Sequence, residues 1–164
     1  VIAVVGGGDQ AVEEAAFLTK FGSIVHLIHR RDELRAAKIV QEHTLANEKV
    51  KIHWSTVVTE VMGEERVEAI RLKDLKTDEE TVLPVGALFP LIGFRPNAAF
   101  LPDEVERTAG GYLITDTWMR TNVPGLYAIG DVRDQLCRQV TNAVGDGTTA
   151  AVAVEKYLEG LEHR

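Results

Sequence analysis

Val1-Ile2-Ala3-Val4-Val5-Gly6-Gly7-Gly8-Asp9-Gln10-Ala11 decides how the fold is read. Five apolar residues run without a break into three glycines. An unbroken apolar run suits a parallel strand covered on both faces. The next stretch, residues 9–21, spaces Val12, Ala15, Ala16 and Leu18 as a helix does, and Gly22 stands where a helix would stop. Gly6, Gly8 and Ala11 match G-x-G-x-x-A between a strand and a helix. The first glycine permits the tight turn, the second lets backbone approach a pyrophosphate, and the small Ala11 lets helix and strand pack closely. The N–H groups that open the helix, those of Asp9 and Gln10 among them, face the phosphates.

Outward from this stretch the pattern continues as a βαβ unit. A second strand is expected at residues 24–28, a helix at 34–46 and a short third strand at 50–53. At the end of the second strand a dinucleotide fold selective for NAD carries an acid for the ribose 2′-hydroxyl. Here stand His29, Arg30 and Arg31, with Arg35 expected one turn into the next helix and Lys38 beyond it. Guanidinium groups suit a 2′-phosphate, which points to NADPH. Cations opening a helix oppose its dipole, so a merely solvated helix start does not explain their clustering.

The character then changes. Residues 56–62, 67–73 and 81–83 alternate apolar with polar side chains around charged turns, predicting an antiparallel meander. Residues 87–92 are again continuously apolar and are expected to rejoin the parallel sheet. Gly93 to Asn97 reads as a crossing between domains. A short strand is expected at 111–115, a buried one at 126–129, and an Ala- and Val-rich helix at 142–158.

Composition narrows the classes. The 164 residues carry a net charge of −7, which disfavours non-specific nucleic-acid binding. No apolar run approaches the roughly 20 residues of a membrane span. The first residues lack the charged region of a signal peptide, and a start inside a strand suggests a chain cut from something longer. Cys137 is the one cysteine, so the chain has no internal disulfide or C-x-x-C pair; it reads as a small packing residue. His43 and His53 read as isolated, and no metal site is expected. A reducing cytoplasm is the default compartment.

Thr121-Asn122-Val123-Pro124-Gly125-Leu126-Tyr127-Ala128-Ile129-Gly130-Asp131 resembles the second FAD-binding motif of flavoprotein reductases with two dinucleotide domains. Gly6 to Ala15, His29 to Arg35, Ile92-Gly93 followed by Pro96-Asn97, and Arg138-Gln139 before a glycine-bearing helix occur in the order found in the bacterial thioredoxin reductases, which the whole chain resembles. The resemblance implies an α/β protein: an NADPH-binding domain at 1–92, with a Rossmann-like parallel sheet and a β-meander, then an incomplete FAD-binding segment at 93–164. Gly6, Gly8 and Ala11 would shape the pyrophosphate loop, and Glu14 would lie toward the nicotinamide half. His29, Arg30, Arg31 and Arg35 would hold the 2′-phosphate, and Ile92 and Gly93 would line the crossing strand. Gly130 and Asp131 would meet the FAD ribityl chain, and Arg138, Gln139 and Val140 the isoalloxazine ring.

The implied parent is a homodimer that passes hydride from NADPH to FAD and electrons on to a protein disulfide, with thioredoxin or a similar small redox protein as partner. The family's ADP-gripping glycine motif and its redox cysteine pair are not in this sequence. No catalytic residue is therefore expected here, and the chain alone is expected to be colourless and inactive. Two other readings stay open: a ferredoxin–NADP reductase of the same build, and a stand-alone NADPH-binding module without catalysis.

Overall fold

The computed structural model describes residues 1–162 and divides into two compact units, Val1–Gly93 and Phe94–Arg164. In the first unit, β1 (Ile2–Val5), α1 (Asp9–Leu18), β2 (Val25–Ile28), α2 (Lys38–Leu45) and β3 (Val50–His53) alternate. They are followed by β4 (Thr56–Met62), β5 (Ala69–Asp74), β6 (Glu80–Pro84) and β7 (Ala87–Pro90). The parallel sheet has the order β3-β2-β1-β7, and β4-β5-β6 form a separate antiparallel sheet. β1 pairs Ile2 with Val25 and, on its other edge, Ile2 with Ala87.

The apolar run of β1 is explained by burial on both faces. Successive side chains point to opposite sides of a strand. Val4 therefore packs with Ala11, Val12 and Ala15 of α1, while Ala3 packs with Ile28, Ile70 and Leu72 on the meander side. Each wholly buried Val, Leu or Ile here stabilises the fold by about 1.5–3 kcal/mol. The buried Thr44 hydroxyl donates to the Val12 carbonyl at 3.1 Å and fastens α2 to α1.

Two helices are shorter than their periodicity predicts. α1 stops at Leu18 rather than residue 21, because the Thr19 hydroxyl and the Gly22 N–H turn back to the Ala16 and Leu18 carbonyls. α2 begins at Lys38 rather than residue 34. The N–H groups of Arg35 and Ala36 both donate to the Gly7 carbonyl, and that of Ala37 to the Asp9 carboxylate. Those donors are committed to the glycine turn, and Ala37 is extended (φ −57°, ψ 141°). Arg35 consequently stands on a loop, not within a helix.

The second unit has less regular structure. Its helix α3 (Val140–Glu162) starts two residues earlier and runs four further than expected. The strands expected at 111–115 and 126–129 are not formed. Leu113 makes isolated bridges to Arg107 and Arg133, and Tyr127 makes one to Arg120. A strand needs a ladder for its backbone groups. The Leu126 N–H instead bonds to the Val123 carbonyl in a local turn, and the Ala128 N–H to the Met119 carbonyl beside the single Arg120–Tyr127 bridge. A small core of Ala98, Val105, Leu113 and Ala128 holds this unit.

Candidate functional site

The turn between β1 and α1 is built by close approach. A Cβ on Gly6 would lie 2.5 Å from both the Ala11 Cβ and the Leu91 carbonyl oxygen, so glycine and a small Ala11 are both required. A Cβ on Gly7 would enter the His29 ring. Gly8 differs: a Cβ there would meet nothing within 4 Å, and its backbone is extended. Open space thus lies before the first turn of α1. The N–H groups of Asp9 and Gln10 have no intrahelical acceptor, and the helix dipole favours an anion there. The Asp9 carboxylate is drawn aside by the Ala37 N–H at 2.6 Å. Glu14 lies half-buried in the second turn of α1.

His29, Arg30, Arg31 and Arg35 share one loop, in two different situations. His29 is buried (6% exposed), and its Nε2 lies 3.0 Å from the Glu33 carbonyl. Its ring packs over Gly7 and meets the Glu33 carbonyl, which shapes the loop. Arg30, Arg31 and Arg35 are exposed, and none makes an ion pair among the described residues. Three unpaired guanidinium groups beside a helix N-terminus can hold two separate phosphates.

A cleft of about 430 Å³ opens at the carboxyl ends of β1 and β2. Gly6, Gly7, His29, Arg30, Arg35 and Ile92 line it together with Thr56, Val57 and Val58 of β4. The β4 residues come from the meander, and no motif in the sequence points to them. Open α/β sheets bind ligands at this end. Ile92 is 73% exposed, and Gly93 beside it has φ +103° with open space around its Cα.

The predicted flavin-side residues form their own group in the second unit. Gly130 opens a 3₁₀ turn (Gly130–Val132) with φ +68°, a conformation that favours glycine. Asp131 is exposed on that turn. The Arg138 guanidinium carbon sits 4.0 Å from the centre of the Tyr112 ring, and its Nε is buried without a hydrogen-bond partner among the described residues. Gln139 accepts the Ala143 N–H at the start of α3, and Val140 is 79% exposed. An exposed carboxylate, an orphaned guanidinium nitrogen and an open apolar helix start fit a group that is both aromatic and hydroxylated.

Asp146 is a residue that sequence reasoning passed over. It is buried on α3, accepts the Gly130 N–H at 3.0 Å and pairs with Arg133 at 2.9 Å. It therefore sets the position of the Gly130–Asp131 turn. The available signal is one acid between two glycines, Gly145 and Gly147, in an Ala- and Val-rich helix. Cys137 proves exposed rather than packed.

His53 is not isolated either. Its Nε2 lies 2.8 Å from Nδ1 of His26 on the neighbouring strand. Both imidazoles are held below their ordinary value of 6.5, chiefly by burial, with His53 adding repulsion at His26. The unfolded chain thus binds more protons than the folded one near and below pH 6.5. The pair's contribution to stability is full above that pH and is lost as pH falls through the folded values. Thermal midpoints measured from pH 8 to 5 are expected to decline on the acid side, and His26→Gln with His53→Gln should flatten the decline. Among the described residues no group of three or more His, Cys, Asp or Glu side chains could hold a metal ion, and no helix is long and apolar enough to cross a membrane.

The sequence pattern of one family, described as pyridine nucleotide-disulphide oxidoreductase, matches residues 1–147. A thioredoxin reductase of Peptoclostridium litorale is 46% identical over 164 residues, 96% of this chain and 52% of that protein. Thioredoxin reductase 1 of Saccharomyces cerevisiae is 44% identical, covering 98% of this chain and 51% of its own length. Among solved structures, thioredoxin reductase from Streptococcus pyogenes superposes with a TM-score of 0.75 at 44% identity, over 97% of this chain and 52% of that one. The chain spans about half the length of these relatives.

Proposed function

The chain belongs to the pyridine nucleotide-disulphide oxidoreductase family, and from that premise we propose that it supplies the NADPH-binding unit and a flavin-facing segment of a thioredoxin-reductase-type enzyme. The family uses FAD and NADPH. The observation that carries the reading is the trio Arg30, Arg31 and Arg35, exposed and unpaired beside the open N-terminus of α1. In this reading Gly6, Gly8, Asp9, Gln10 and Ala11 receive the pyrophosphate and the three arginines the 2′-phosphate. His29 holds their loop in place. Glu14, Ile92 and Gly93 flank the nicotinamide half.

On the flavin side, Gly130 and Asp131 take the ribityl hydroxyls, and Arg138, Gln139 and Val140 meet the ring. The orphaned Nε of Arg138 supports that role. The N-terminal dipole of α3 favours negative charge on a reduced ring. When bound, the cofactors supply hydride transfer from nicotinamide to flavin and reducing equivalents for a protein disulfide, with thioredoxin as the partner of the whole enzyme. The residues named here bind and orient; the cofactors carry the chemistry. Pairing of two copies and a cytoplasmic setting belong to the same proposal. The exposed Leu136 and Val144 support an associating surface in the second unit.

Gly8→Val tests the pyrophosphate assignment. Its Cβ enters open space and its backbone is extended, so the cost in stability should be confined to the loss of a good N-cap, about 1 kcal/mol. NADPH affinity should fall about tenfold or more, the scale of one lost charge-assisted contact. Calorimetric titration showing undiminished NADPH binding by this variant would remove the turn from the site.

A further inference from the structure

Asp32 stands between Arg31 and Glu33, inside the basic loop. An acid near the end of the second strand is what a site selective for NADH employs, and it would repel a 2′-phosphate. In this structure the Asp32 carboxylate is engaged elsewhere: its Oδ2 lies 3.3 Å from Nζ of Lys76, on the β5–β6 turn.

The backbone on both sides of this exposed pair is held. On the loop side, the Ser55 N–H donates to the Arg31 carbonyl at 3.0 Å, and the Thr56 N–H to the His29 carbonyl at 2.9 Å. On the turn side, the Lys76 and Thr77 N–H groups both donate to Oδ1 of Asp74, at 2.7 and 3.0 Å. The Leu75 N–H donates to the Ser55 carbonyl at 2.6 Å. Ser55, buried and in the left-handed region (φ 50°), therefore ties the basic loop to the turn that carries Lys76. The backbone that carries Lys76 is fixed beside Asp32, while both side chains are exposed, 63% and 70%, so the contact has the strength of a surface ion pair.

We propose that Lys76 is a specificity-determining positioning residue: from the meander it holds and neutralises the Asp32 carboxylate, keeping that charge away from the 2′-phosphate and preserving preference for NADPH over NADH. The inference rests on the NADPH reading above. Lys76 acts through Asp32 and does not itself touch the cofactor. The lowered Asp32 carboxyl, caused first by its hydrogen bond from Lys76, agrees with the contact.

The test is calorimetric titration of the whole chain with NADPH and with NADH, for the parent, Lys76→Ala, Asp32→Asn and the double variant. Lys76→Ala is expected to reduce the NADPH-to-NADH affinity ratio about two- to five-fold, the range of an exposed ion pair. On the Asp32→Asn background the same substitution should leave the ratio unchanged, because no carboxylate remains to be restrained. An unchanged ratio in Lys76→Ala would overturn the proposal. So would an equal drop on both backgrounds, which would make Lys76 a direct phosphate ligand. A parent with no preference for NADPH would instead overturn the cofactor reading on which the proposal stands.

Discussion

Alanine at both Arg30 and Arg31 is expected to weaken NADPH binding far more than NADH binding, with Arg35 alone left to the 2′-phosphate. Each guanidinium would lose a charge-assisted hydrogen bond to the 2′-phosphate, about 1.5–3 kcal/mol apiece, or roughly tenfold or more in affinity per residue. The two losses should add incompletely, since both groups meet one phosphate. Neither arginine has an acidic partner among the described residues, and both are exposed. Their removal therefore strands no buried charge and should leave the melting temperature of the first unit unchanged. The NADPH loss should also shrink as salt screens the parent site. Equal losses for both cofactors in calorimetric titration would take the 2′-phosphate away from this loop.

Replacing Asp146 with alanine should strongly destabilise the second unit. The substitution strips Arg133 of its carboxylate where both side chains are nearly buried, 14% and 11% exposed, and leaves the Gly130 N–H without its acceptor. Breaking a buried pair from one side costs about 3–5 kcal/mol. A unit of this size has roughly 3–10 kcal/mol in all, at the usual stability per residue. Trp118 lies in the second unit and Trp54 in the first, so urea unfolding followed by Trp118 fluorescence in a Trp54→Phe background isolates the effect. Adding Arg133→Met to Asp146→Ala should restore part of the loss, because the uncompensated cation is gone. A transition unmoved by Asp146→Ala would mean that the turn at Gly130 is held by something other than this pair.

The sequence by itself determined what depends on local pattern. The run Ile2–Val5 before a glycine turn fits a strand covered on both faces, and the alternation around Thr56–Met62 and Ala69–Asp74 fits a half-exposed meander, as found. The spacing Gly6, Gly8, Ala11 identified the turn, because the Gly6–Ala11 contact is steric and lies within six residues; the Leu91 carbonyl against Gly6 came only with the fold. Tertiary structure decided whatever depends on a distant hydrogen-bond partner. The start of α2 moved to Lys38 because Gly7 and Asp9 claim the N–H groups of residues 35–37. His29 became scaffold because its ring fills the space over Gly7 and meets the Glu33 carbonyl. The strands expected at 111–115 and 126–129 did not form, because apolar composition supplies no ladder. The pairs Asp32–Lys76, His26–His53 and Arg133–Asp146 are separated along the chain by 44, 27 and 13 residues. No periodicity of 2 or 3.6 connects positions so far apart; only the packing of one element on another does.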